Sequence, residues 1–155
     1  MLVAELIHYN VDSASVEALY LHLSSCSAEF DPPLASRVDI AEYAAKLRTK
    51  AVTFESWSGN ELIGLVAAYL APMDLRTGFI SSVSTKPSFK RLGIATTLIG
   101  NCVSRARELG LAFLELEVGE GNERAIRLYE SFGFTSSTES EDGLRRMTLP
   151  LAPTE

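Results

Sequence analysis

Three groups of residues in this chain have types and spacings suited to chemistry. The stretch Val83 to Ile99, VSTKPSFKRLGIATTLI, begins as a short β-type run and stalls at Pro87. It turns basic at Lys90 and Arg91, then becomes an apolar helix pattern after Gly93. A helix start leaves backbone N–H groups without intrahelical partners, and its dipole is positive there. A strand running straight into such a start aims those donors outward, which suits a phosphate or pyrophosphate. Gly93 lets a ligand approach the backbone with no Cβ in the way, and the two cations add charge at the same place. The same residues would also make an ordinary strand–helix turn with two solvated cations. The stretch matches neither the P-loop pattern G-x-x-x-x-G-K-S/T nor the dinucleotide fingerprint G-x-G-x-x-G.

The second group is the strand-like FLELEV, Phe113 to Val118. Leu114, Leu116 and Val118 share one face, and Glu115 and Glu117 share the other. A strand inside a parallel sheet is normally apolar on both faces. Two carboxylates on one face therefore predict that this face is open, as at a cleft; a plainly solvated sheet face is the alternative. The third group is NERAIRLYESFGF, an amphipathic helix with Asn122 as N-cap, Gly133 as its stop and Tyr129 in its last turns.

The elements that must hold these groups follow from pattern. LVAELIHY reads as a first strand, and Asp12 or Ser13 would cap a helix running to about Cys26. FDPPLASRVDI is a Pro-containing loop, and Asp39 starts a short helix. AVTFESW and ELIGLVAAYLA form a hairpin across SGN. TGFISSVST is a strand. Leu92 to Leu109 is a helix with Ile94, Leu98, Cys102 and Ala106 on one stripe, and Gly110 is the residue beyond its end. A final hairpin joins FTSSTES to LRRMTLPL through EDG. The order β, α, α, β-hairpin, β, α, β, α, β-hairpin predicts an α/β (α+β) fold on a mixed sheet.

The 155 residues suit one compact domain spanning 1–155, and no repeat or interdomain linker is visible. The net charge of −6 argues against nucleic acid as a partner, because phosphate neutralisation needs a basic surface. Cys26 and Cys102 lie far apart, and two cysteines with two histidines offer no zinc spacing, so no metal is expected. The N-terminus lacks a signal-peptide pattern, and no apolar run is long enough to span a membrane. These features point to a reducing, cytoplasmic setting. His8 and His22 read as structural or exposed. A covalent acyl-cysteine is disfavoured because neither cysteine shows a basic neighbour in sequence.

Taken together, the first and third groups resemble the GNAT superfamily of acyl-CoA-dependent N-acyltransferases. Its cofactor motif is a strand, a proline, then Q/R-x-x-G-x-G/A. Here it runs Val83, Ser84, Thr85, Lys86, Pro87, then Lys90-Arg91-Leu92-Gly93-Ile94-Ala95, with Lys90 where Arg or Gln is usual. The downstream motif N-x-x-A-x-x-L-Y-E-x-x-G-F is complete in Asn122, Ala125, Leu128, Tyr129, Glu130, Gly133 and Phe134.

The resemblance implies a central, mostly antiparallel twisted sheet of six or seven strands flanked by about four helices. A splayed parallel strand pair would hold acetyl-CoA. Val83, Ser84 and Thr85 would meet the pantetheine arm and thioester through main-chain groups. Lys90, Arg91, Leu92, Gly93, Ile94, Ala95 and Thr96 would anchor the pyrophosphate, and Asn122 would contact the cofactor arm. Tyr129 would point at the thioester sulfur as general acid; with an ordinary pKa of about 10 a tyrosine stays protonated at neutral pH. Glu117, twelve positions before Tyr129, matches the spacing of the base in ribosomal-protein N-terminal acetyltransferases and is preferred over Glu115. The first two helices and their connection commonly line the acceptor groove, which nominates Phe30, Arg37 and Tyr43, with Asp39 read rather as an N-cap.

The implied activity is transfer of an acetyl group to a primary amine of a small molecule (an amine, amino acid or amino sugar) by direct attack in a ternary complex. Its rivals are acetylation of a protein N-terminus and a non-catalytic acyl-CoA-binding module. A partner-binding domain without cofactor would leave both motifs incidental. The molecule would be a monomer or homodimer.

Overall fold

The computed structural model describes residues 7–30, 32–74 and 76–151. Seven strands form one sheet. They are β1 (Ile7–Val11), β2 (Val52–Ser58), β3 (Glu61–Tyr69), β4 (Thr77–Thr85), β5 (Phe113–Gly119), β6 (Thr135–Glu141) and β7 (Leu144–Pro150). Four α-helices accompany them: α1 (Val16–Cys26), α2 (Ile40–Lys50), α3 (Ile94–Glu108) and α4 (Glu123–Ser131). The sheet order is β1-β2-β3-β4-β5-β7-β6. Only β4 and β5 run parallel; the other neighbours are antiparallel. The expected strand and helix order holds. The N-terminal part of the predicted first strand lies outside the described residues.

Turn chemistry explains the hairpins. β2 and β3 are joined through Gly59 at φ 60°, and β6 and β7 through Asp142 and Gly143 at 54° and 76°. In the β6–β7 turn both central residues are left-handed, the turn that matches strand twist; in the β2–β3 turn Gly59 alone is. Two boundaries differ from the sequence reading. The cap of α1 is Ser15, whose side chain accepts from the Ala18 N–H, and not Asp12 or Ser13. Ser13 is drawn away by Glu55 of β2, which takes its N–H and its hydroxyl. Helix α3 begins at Ile94 rather than Leu92, with Gly93 as N-cap. Asp39 caps α2 as expected, accepting from the Glu42 N–H at 3.0 Å.

The sheet has a packed layer on each face. On one, Ile94, Leu98, Ile99, Cys102 and Ala106 of α3 and Ile126 of α4 close over Ile63, Val66, Leu114 and Leu116. On the other, Leu19 and Leu23 of α1 and Ala44 and Leu47 of α2 cover Leu65 and Ala67.

The feature that makes a site is the separation of β4 from β5. They pair only from Thr77↔Phe113 to Ile80↔Leu116. Beyond that point β4 continues to Thr85 beside β3, and β5 continues to Gly119 beside β7. The divergence starts at Ser81, skipped in the register where Ala68↔Ile80 gives way to Ala67↔Ser82. A bulge of this kind bends its strand and breaks the pairing rhythm. One edge of β4 is thereby left without a neighbouring strand.

Candidate active site

Two cavities open from the V between β4 and β5. The first, of about 380 Å³, is lined by Val83, Ser84, Thr85, Lys90, Arg91, Gly93, Ile94, Ala95, Thr96, Asn122 and Tyr129, among others. The second, of about 260 Å³, includes Phe30, Arg37, Tyr43, Ser81, Glu117 and Tyr129 in its walls. Phe30, Val83, Asn122 and Tyr129 border both, so the cavities meet there.

The larger cavity could hold an anion attached to an extended arm. Thr97 N–H makes the first intrahelical bond of α3, to the Gly93 carbonyl at 3.0 Å, so the N–H groups of 94–96 face out of the helix end. Arg91 at φ 69° and Gly93 at φ 77° are both left-handed. Such alternation curls successive N–H groups into a concave anion-binding nest. A Cβ at Gly93 would meet no protein atom within 4 Å, so the space beside it is open to a ligand. Lys90 forms an ion pair with Glu29, which ties the nest to the end of α1. Along the arm, the unpaired edge of β4 offers main-chain donors and acceptors beside Val83 and Thr85.

Some expected contacts differ in detail. Leu92 does not line the cavity and is exposed, because the left-handed residues on either side turn it outward. The Ser84 hydroxyl is committed to His22 Nε2 at 2.8 Å, leaving only its main chain for a ligand. Asn122 Oδ1 accepts from Ala125 N–H at 3.3 Å and caps α4.

Tyr129 sits where the cavities join. It is 6% exposed, and its ring packs edge-on to Phe134 with centroids 6.0 Å apart. Beyond Tyr129, Gly133 at φ 103° ends α4. The Phe134 N–H then bonds the Tyr129 carbonyl at 3.2 Å, which fixes that turn. The Tyr129 hydroxyl makes no hydrogen bond to any described residue. Burial raises its pKa well above the ordinary tyrosine value, so it is held as a phenol.

Glu115 and Glu117 do share an open face. Arg146 of β7 bridges them, at 2.9 Å to Glu115 and 3.1 Å to Glu117, while stacking over Phe79. The carboxylates hold its guanidinium firmly protonated. Glu117 keeps its second oxygen, Oε1, without a hydrogen-bond partner among the described residues, and Glu117 but not Glu115 borders the smaller cavity. Tyr43 donates to the Ser81 carbonyl at 3.1 Å, the group released by the bulge.

Sequence reasoning missed Arg124, Phe89 and Leu128 in the larger cavity, and Arg146 beside the smaller. Arg124 left a signal: a cation in the first turn of a helix opposes the dipole, which makes sense when an anion binds nearby. It also missed a neighbour of Cys26. His22 Nε2 lies 3.8 Å from the Cys26 sulfur. The pair is not an activated thiolate. Burial pushes the Cys26 thiol up and the His22 imidazole down to about 4. Burial also pushes the Cys102 thiol up, to about 12.

Comparison with known proteins accords with this geometry. Residues 16–134 match the model of the Acetyltransferase (GNAT) family, and the chain belongs to that family. It is 41% identical over 92 residues to the uncharacterized N-acetyltransferase YsnE of Bacillus subtilis, of whose length it spans 60% and of its own 57%. It is 32% identical over 118 residues to the thialysine N-epsilon-acetyltransferase of Caenorhabditis elegans, covering 74% of each. It is 28% identical over 116 residues to the ribosomal protein bS18-alanine N-acetyltransferase of Escherichia coli K12, covering 70% of this chain and 77% of that one. A GNAT family acetyltransferase from Elizabethkingia anophelis, solved with acetyl-CoA bound, shares the fold at a TM-score of 0.67 and 19% identity, covering 95% of this chain and 99% of that one. The nest, the open space at Gly93 and the free edge of β4 fit such a cofactor.

Proposed function

We propose that this chain is an acetyl-CoA-dependent N-acetyltransferase that acts on a primary amine of a small molecule by direct attack in a ternary complex. The observation that carries the reading is the position of Tyr129. A buried phenol with an unpartnered hydroxyl stands where an anion-binding cavity meets a second, smaller one.

Bound acetyl-CoA supplies an acetyl group activated as a thioester. The chain's own residues do the rest. The N–H groups of the nest, with Arg91 and Arg124, hold the pyrophosphate. The free edge of β4 orients the arm, converting an encounter into a positioned reaction. Tyr129 holds a proton at Oη where a thiolate would leave. Glu117 Oε1 receives the proton that the incoming ammonium must lose, while Arg146 fixes the other oxygen. A cytoplasmic setting fits two buried free thiols.

A second reading, acetylation of a protein N-terminus, draws on the ribosomal-protein relative and on the Glu117–Tyr129 spacing. Both readings are tested by melting the protein with and without acetyl-CoA, in wild type and Gly93→Asp. A ligand at a hundred times its Kd stabilises by about 2.7 kcal/mol. The expected result is a rise in wild type that is lost in the variant. No rise in a folded wild type overturns the acetyltransferase reading. Acetylation of amines and of N-terminal peptides in parallel then separates the two acceptors.

A further inference from the structure

We infer that the acceptor amine carries a carboxylate, and that Arg37 is its anchor. This rests on the acetyltransferase reading and narrows its substrate to amino acids and amino-acid-like amines.

Charge within the smaller cavity supports this assignment. Two acids and one cation border it: Glu29, Glu117 and Arg37. Both acids are already ion-paired: Glu29 with Lys90, and Glu117 with Arg146, which it shares with Glu115. The Arg37 side chain has no ion pair or hydrogen bond to any described residue. Of the three charged side chains bordering the cavity, Arg37 is therefore the one without an ion-pair partner among the described residues. Arg37 belongs to the connection between α1 and α2 and lines the same cavity as Tyr43. Tyr129 and Glu117 stand on α4 and β5, across the V. An acceptor whose amine lies at the Tyr129 junction has the rest of its body in this cavity, with Arg37 in the wall around it.

A guanidinium is charged at every accessible pH and its fork matches a carboxylate. The cavity, at about 260 Å³, is slightly smaller than typical ligand clefts, which run from roughly 300 to 1,000 Å³. That suits a compact molecule. A peptide N-terminus has its first carboxyl tied up as an amide and would leave Arg37 unanswered.

The experiment follows CoA thiol release by the full chain with acetyl-CoA and pairs of amines that differ only in the carboxylate: amino acids, their amides and their decarboxylated counterparts. Wild type is compared with Arg37→Gln and Arg37→Lys, after melting shows that each folds and still binds acetyl-CoA. The best acceptor is expected to carry a carboxylate and to exceed its carboxylate-free partner by about ten- to a hundredfold in kcat/KM, the loss associated with one charged hydrogen-bonded anchor. Arg37→Gln erases that advantage mainly through KM, and Arg37→Lys restores part of it. For carboxylate-free amines Arg37→Gln has a far smaller effect than for their carboxylate-bearing partners. Equal use of both partners, equal effects of Arg37→Gln on both, or acetylation of peptides alone overturns the inference while leaving the acetyltransferase reading intact. Failure of wild type to bind acetyl-CoA removes that reading, and this inference with it.

Discussion

Replacing Tyr129 with Phe separates catalysis from stability more cleanly than any other change. The ring is buried and packs on Phe134, and Phe keeps both the volume and the edge-on contact. The hydroxyl bonds no described residue, so its deletion orphans no partner, and the penalty of about 1–3 kcal/mol for a stranded buried group does not arise. Removing a hydroxyl that has no partner among the described residues should leave stability unchanged or raise it by up to about 1 kcal/mol. In a chain of 155 residues that is a shift of roughly 2–4 °C at most. Turnover should respond very differently. Loss of a positioned general acid lowers kcat by about 10²- to 10⁴-fold, or roughly 2.7–5.4 kcal/mol of barrier. Acetyl-CoA should still raise the melting temperature of the variant. The assay is CoA thiol release at saturating acetyl-CoA beside a melting curve on the same preparation. Turnover within fivefold of wild type in the folded variant would refute the assignment. The pH profile gives a second reading. An acid works while protonated, and burial raises the Tyr129 pKa, so its loss on the alkaline side lies above the ordinary tyrosine value of about 10.

Other outcomes follow from particular contacts. Glu117→Gln keeps the acetyl-CoA-induced rise in melting temperature but lowers kcat by about 10²-fold, whereas Glu115→Gln, outside the cavity, does far less. His22 is neutral in the fold, with its pKa lowered by burial to about 4 from 6.5. The unfolded chain takes up that proton first, so the contribution is complete above pH 6.5, falls as pH drops toward 4, and amounts to roughly 3 kcal/mol. Urea melts across that range should show the slope in wild type and a flatter one in His22→Gln. Glu55, fully buried, accepts from the Ser13 and Ala14 N–H groups at 3.0 Å each, from Thr53 Oγ1 at 2.6 Å and from Trp57 Nε1 at 3.1 Å. Glu55→Gln turns an amide toward some of those donors, and should lower stability by about 3 kcal/mol in urea melts with an unchanged m-value.

What could be read in the sequence was mostly local. Asp39, Asn122, Gly110 and Gly133 bound their helices where pattern put them, because caps bond within three or four residues of themselves. The stripe Ile94, Leu98, Cys102 and Ala106 is buried as its period requires. The anion nest was legible because a left-handed glycine, a helix start and two cations are all neighbours in the chain. Glu115 and Glu117 were placed on a common face by strand alternation alone.

Where pattern fell short, a distant segment had intervened. The α1 cap moved to Ser15 because Glu55, forty-two residues from Ser13, took Ser13 for itself. His22 found its partner in Ser84, sixty-two residues away, and so became a buried neutral imidazole. The carboxylate pair acquired Arg146 from β7, Glu29 pairs with Lys90, and Arg37 has no counter-charge among the described residues. The sequence by itself determined the elements, their order and the groups able to bind phosphate or carry a proton, since those depend on backbone geometry over a few residues. The tertiary structure alone decided which charges are paired, which hydroxyl is free and where two cavities meet. Coulombic and hydrogen-bond partners are chosen by proximity in space, and the splay of β4 from β5 sets that proximity.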